Sequence, residues 1–145
     1  MRFMMVVIHP EGTSPPTDAE LFADELAKMG RYNEELMKAG VLLALDGLHP
    51  QSAAVRVTFD GGRANAKDGP FAEAKEVVGG YWLIQVKSKQ EAVEWAMRCP
   101  MNEHGTIEIR QVQEFEEFPQ EVQEAVAGER ELLAELDRKR AAASA

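Results

Sequence analysis

An α+β chain with the element order β-α-β-(hairpin)-β-α-β is predicted by three observations. Apolar runs of strand length occur at 2–9, 41–45 and 81–86. Two helices are each announced by a Thr or Ser followed three residues later by Glu, at 17–20 and 88–91. Between them, Asp60-Gly61-Gly62 and Asp68-Gly69-Pro70 carry the residues that tight turns require.

Taken in order, residues 2–9 (Arg-Phe-Met-Met-Val-Val-Ile-His) suit an inner strand covered on both faces. Residues 11–16 break it, and Thr17-x-x-Glu20 predicts a helix starting near Asp18. Phe22, Leu26, Met29, Leu36 and Met37 share one stripe of that helix and are predicted core. Gly40 supplies the left-handed residue that stops it. Val41 to Leu45 then predicts a second buried strand. Val55, Val57 and Phe59 alternate with small or polar residues in a half-exposed hairpin. Its return strand, 63–67, has few large apolar groups and belongs at a sheet edge or outside the main sheet.

In the strand 81–86, Tyr81, Leu83 and Gln85 alternate with Trp82, Ile84 and Val86. Neither face is written for solvent, so this strand is central, and one of its faces needs cover from a second subunit. Ser88-x-x-Glu91 opens a short helix with Ala92, Val93, Ala96 and Met97 on its apolar side, and 106–112 alternates as the last strand. Reduced to these elements, the order is the ferredoxin-like pattern with an inserted hairpin, spanning residues 1–112. Residues 113–145 form an acidic extension, in which Val122, Val126, Leu133 and Leu136 recur at roughly helical intervals and Pro119 can start a helix. So narrow a stripe, interrupted at Gly128, predicts packing on its own subunit or on the dimer mate, with residues 141–145 fraying at the end.

With 145 residues, 45% hydrophobic, the chain is long enough for one domain with a real core. Its formal charge of −9 disfavours a nucleic-acid backbone or an anionic membrane as partner. The single cysteine, Cys99, cannot form an intrachain disulfide, and the N-terminus lacks the basic-then-apolar order of a signal peptide. Both predict a cytoplasmic protein. No apolar run approaches the roughly 20 residues that span a bilayer.

A resemblance rests on Asp68-Gly-Pro-Phe-Ala-Glu-Ala-Lys-Glu76, followed by Gly79-Gly80-Tyr81. This stretch resembles the signature of the DGPF branch of the YCII-related proteins, and the likeness in element order covers residues 2–112. Members commonly carry Thr where this chain has Ala74. The resemblance implies a ferredoxin-like fold that pairs into a dimeric α/β barrel, in a family whose biochemical role is largely unassigned. Some members carry a helix-borne His associated with a proposed His-Asp pair; with no histidine in residues 10–48, that pair is not carried over here. Family members are often encoded beside alternative sigma factors, which implies a protein partner of that kind.

Candidate polar groups separate by topology. The first and last strands of a ferredoxin-like sheet are antiparallel neighbours, so His9 and His104 share one edge while Asp46 and His49 lie at the opposite one. No His-x-His or His-x-x-x-His spacing occurs, and no metal site is predicted. Gly61-Gly62 and Gly79-Gly80 lack the spacing of a phosphate-binding loop, so no nucleotide cofactor is predicted. Asp46-x-x-His49 is either a carboxylate orienting a general base or ordinary turn chemistry, and the second reading is favoured. Asp68 either binds backbone N–H groups or acts as an acid or base, beside the charges of Glu73, Lys75 and Glu76.

Two functional readings follow. In the first, a small molecule binds, as a ligand or as a substrate, in a cleft between sheet and helices. Its catalytic candidates are Asp68, His49 and Asp46, and its binding candidates are Arg56, Phe71, Glu73, Lys75 and Tyr81. In the second, a non-catalytic module uses the acidic C-terminal segment to contact a protein partner.

Overall fold

The computed structural model describes residues Met1–Ala143. Two compact units divide the chain, Met1–Val112 and a second beginning at Gln113.

The first unit contains β1 (Arg2–Pro10), α1 (Ala19–Lys38), β2 (Leu42–Gly47), β3 (Val55–Asp60), β4 (Arg63–Asp68), β5 (Glu76–Gln85), α2 (Lys89–Met97) and β6 (Thr106–Gln111). Four strands form one antiparallel sheet in the order β2-β5-β1-β6, which is the ferredoxin-like arrangement. The hairpin β3–β4 stands outside it as a separate two-stranded sheet. Gly61 and Gly62, both at positive φ, let Asp60 and Arg63 pair across the turn.

Strand alternation decides which face becomes core. Phe3, Met5 and Val7 of β1, with Trp82 and Ile84 of β5 and Val86 beyond it, turn to the helices and are buried against Tyr32 and Leu36 of α1 and Ala92 of α2. Buried polar atoms here find partners. The Trp82 Nε1–H donates to Asn33 Oδ1 at 2.8 Å, the Tyr32 hydroxyl donates to the Trp95 carbonyl at 2.8 Å, and the Tyr32 and Trp82 rings meet edge to face at 5.7 Å.

Several local expectations are corrected. The cap of α1 is Asp18, whose carboxylate accepts from the N–H groups of Glu20 and Leu21, and not Thr17. The helix ends as predicted at Gly40, with Val41 N–H donating to Leu36 O and Gly40 N–H to Met37 O. The buried part of the α1 stripe is shorter than predicted: Phe22 and Leu26 overhang the sheet and are exposed, while Met37, about 100° around the helix from Leu36, is 68% exposed. Met97 likewise points outward from α2.

β2 is an edge strand with Leu43 and Leu45 exposed, because no strand lies beyond it among the described residues. The hairpin is exposed along its whole length, with Phe59 at 81%, because it leaves the sheet. β5 begins at Glu76, so Gly79 and Gly80 lie inside the strand. A Cβ on Gly80 would stand 2.7 Å from the Asp46 carbonyl oxygen of β2, too close for any side chain.

The second unit holds α3 (Gln120–Ala125), with Pro119 at its N-cap, and α4 (Ala127–Ala143). The helix breaks at Val126, not at Gly128. Leu132, Leu133 and Leu136 of α4 are exposed. Ala141 to Ala143 continue α4, and Ser144 and Ala145 of the tail expected to fray lie outside the described residues.

Candidate functional site

The cleft with the most convergent polar groups lies where β1 leaves the sheet. Between Val7 and Ile8 the pairing with β5 shifts by one residue, since Val7 faces Gly80 and Ile8 faces Val78. Gly79 is the unpaired extra residue. His9 then turns to the helix side with its imidazole against Gly79, where a Cβ would stand 2.8 Å from Cδ2 and 2.9 Å from Nε2. Only glycine leaves room for the ring in that position.

Pro10 ends the strand, and Thr13 closes the following turn by donating its N–H and its hydroxyl to the Pro10 carbonyl. Residues 14–16 (Ser-Pro-Pro) lead the chain along the cleft wall to α1. From α1, Phe22, Glu25, Leu26 and Met29 project into the same space. The third wall is the loop after α2, Pro100 to Gly105, turned back by a Gly105 N–H to Asn102 O bond of 3.1 Å. The enclosed volume is about 310 Å³, at the small end of ligand sites.

Its chemistry is specific. His9 and His104 both line it, so the two imidazoles placed at one edge by topology do meet a common cleft. Glu25 is half-buried and accepts a hydrogen bond from Asn102 Nδ2 at 3.0 Å, which holds its carboxylate. His104 sits at φ +69°, a left-handed conformation that costs a side-chain-bearing residue roughly 1–3 kcal/mol and that clusters at binding sites. Behind the wall, Cys99 donates to the Met29 sulfur at 3.9 Å, and burial pushes its thiol up to about 11, so it is an unreactive packing group. Two imidazoles and an oriented carboxylate lining one cleft can donate and accept hydrogen bonds and pass a proton to or from a bound group.

The residues singled out from sequence lie elsewhere. None of Asp46, His49, Arg56, Asp68, Phe71, Glu73, Lys75 or Tyr81 lines this cleft. Asp46 and Tyr81 face each other across β2 and β5 on the sheet side away from the helices, where the Tyr81 hydroxyl donates to Asp46 Oδ2 at 2.7 Å. His49 is exposed in the loop after β2. Arg56, Phe71 and Glu73 form one cluster: the Arg56 guanidinium lies 3.9 Å over the Phe71 ring and 3.1 Å from Glu73 Oε1. A hydrogen bond from its own backbone, with Lys67 and Arg56 adding to it, holds the Glu73 carboxyl below its usual range.

The signature turn is held by its backbone and by Phe71. The Gly69–Pro70 peptide is cis, Gly69 N–H donates to Ala54 O at 2.7 Å, and Phe71 N–H donates to Gln51 Oε1 at 3.2 Å. A Cβ on Gly69 would collide with the Gln51 carbonyl oxygen. Phe71 is 2% exposed, while Asp68 and Lys75 are exposed and Lys75 contributes its carbonyl to Glu11 N–H. Missed from sequence were Glu25 and Asn102, which carry no motif, and Phe22 and Leu26, whose helical spacing reads as core. Among the described residues, no three or more His, Cys, Asp or Glu side chains group so as to hold a metal ion, and no helix is long and apolar enough to cross a membrane.

Comparison with known proteins adds a family. An uncharacterised protein of Rhizobium meliloti (strain 1021) is 35% identical over 83 residues, a stretch covering 57% of this chain and 64%, less than two thirds, of that relative. The YCII-related domain matches residues 1–116, which takes in the whole sheet, both helices packed on it and every wall of the cleft. The chain belongs to the YCII-related family.

Proposed function

We propose that the protein binds a small molecule in the cleft between the end of β1, the first half of α1 and the 100–105 loop, with His9 and His104 as its proton-exchanging groups. The observation that carries this reading is the convergence of two imidazoles and a hydrogen-bonded carboxylate on one apolar-walled space of about 310 Å³. Ligand-observed NMR with a library of small fragments tests it. Binders should compete with one another and be lost in Leu26→Trp, which fills the cleft from an exposed helix position without touching the core. Fragments that bind the variant as well as the parent would remove the reading.

The same proposal includes a homodimer, placement in the DGPF branch and a cytoplasmic location. Support for the dimer is the sheet face away from the helices, where Met4, Val6, Ile8, Tyr81 and Leu83 are half-buried or exposed. For the branch it is the stretch 68–81, and for the location the single, half-buried cysteine, Cys99. Sedimentation equilibrium at micromolar concentration should give twice the chain mass; a monomer there would count against the dimer.

A second reading, a regulatory module that contacts a protein partner such as an alternative sigma factor, is favoured by one observation, the exposed Leu132, Leu133 and Leu136 on acidic α4. Truncation after residue 118 should then abolish partner capture and leave fragment binding intact.

A further inference from the structure

We infer that the ligand of this cleft is a cationic amphiphile, an amine on an apolar body of about ten to fifteen non-hydrogen atoms; this rests on the reading of the cleft as a ligand site. Three observations select the charge. The walls include two carboxylates, Glu25 and Glu103, and neither a Lys nor an Arg. The N–H groups that open α1, the natural seat for an anion near the 14–16 wall, already donate to Asp18. The chain as a whole carries −9. An anion entering would lose its hydration and meet two carboxylates, with only the imidazoles to offset them, whereas an ammonium finds an oriented acceptor in Glu25, whose position Asn102 fixes.

Size and body follow from the remaining walls. Val7, Phe22, Leu26, Met29 and Met101 are apolar, and the two Met side chains adapt to irregular shapes. An aromatic or branched aliphatic group would lie among them, with its amine toward Glu25. The imidazoles of His9 and His104 serve there as hydrogen-bond acceptors for the remaining ammonium protons.

The test uses three probes with one body: 4-phenylbutylamine, 4-phenylbutan-1-ol and 5-phenylpentanoate, titrated by calorimetry or NMR into the full chain at about 20 mM salt, where screening is weak. The amine should bind at least about fivefold tighter than the alcohol, and the carboxylate weakest. Glu25→Gln should cut the amine-to-alcohol ratio to about one, and about 500 mM salt should shrink it in the parent. A carboxylate that binds as tightly as the alcohol would overturn the charge assignment while leaving the cleft as a site. So would an amine preference that survives in both Glu25→Gln and Glu103→Gln. If none of the three binds while other fragments occupy the cleft, the ligand class is wrong and the site stands; if no fragment of any charge binds, both readings fall together.

Discussion

The signature turn and the β1 cleft are built in opposite ways. The turn draws on two segments, 51–56 and 68–74, and every residue in it that matters is dictated by space: Gly69 cannot carry a Cβ beside the Gln51 carbonyl, and Phe71 is buried beneath the Arg56 guanidinium. The cleft draws on three segments spread from residue 7 to residue 105, and its polar groups sit half-exposed or exposed with few partners of their own. A conspicuous sequence pattern marks tight packing, and an inconspicuous scatter of residues marks open, convergent chemistry. Packing constrains neighbours in sequence; a cavity needs only walls that meet in space.

That contrast is best broken by comparing stability with binding. Phe71→Ala should have the largest effect, a loss of about 3–5 kcal/mol in chemical denaturation, with fragment binding retained under native conditions. A loss below about 1 kcal/mol would show that the turn is not a packing lock. Gly79→Ala comes next, since its methyl must displace the His9 ring at about 1–3 kcal/mol. The His9 imidazole resonances should move and fragment affinity should change, joining stability and binding at one position. Unmoved resonances would mean that the ring does not depend on that gap.

Alkaline titration isolates the core behind the cleft. Burial raises the Cys99 thiol from 9.0 to about 11, so the unfolded chain ionises first. The contribution is complete below about pH 9 and is lost as pH rises toward about 11. Tyr32, raised mainly by burial, adds a loss of the same sign above 10.0. Cys99→Ala should therefore flatten the decline between pH 9 and 11 without abolishing it; an unchanged slope would mean that the thiol is open to solvent. The smallest effect belongs to His104→Gly, which relieves the left-handed backbone and should leave stability within about 1 kcal/mol of the parent or above it. A larger loss would show that the imidazole itself holds the loop.

Legibility follows the same division. The strands, their order and the two helices could be read because alternation and capping are local rules, as Ser88 capping Glu91 N–H at 3.1 Å illustrates. His9 and His104 could be brought to one edge because strand order alone relates them. Asp46 and His49 were drawn together by proximity in sequence, yet the Asp46 carboxylate takes its hydrogen bond from Tyr81, 35 residues away on the neighbouring strand. Phe22 and Leu26 could not be told from core, since helical spacing reports which side of a helix faces inward and not where the sheet beneath it ends.

By itself, then, the sequence determined the ferredoxin-like order of elements, the central place of the strand through residues 81–86 and the helix stop at Gly40, all consequences of periodicity and of backbone conformations that few residues allow. Only the tertiary structure decided that Gly79 makes room for His9, that Asn102 holds Glu25, and that an apolar stripe runs off the sheet into an open cleft. Those relations depend on distances between segments that no local pattern encodes.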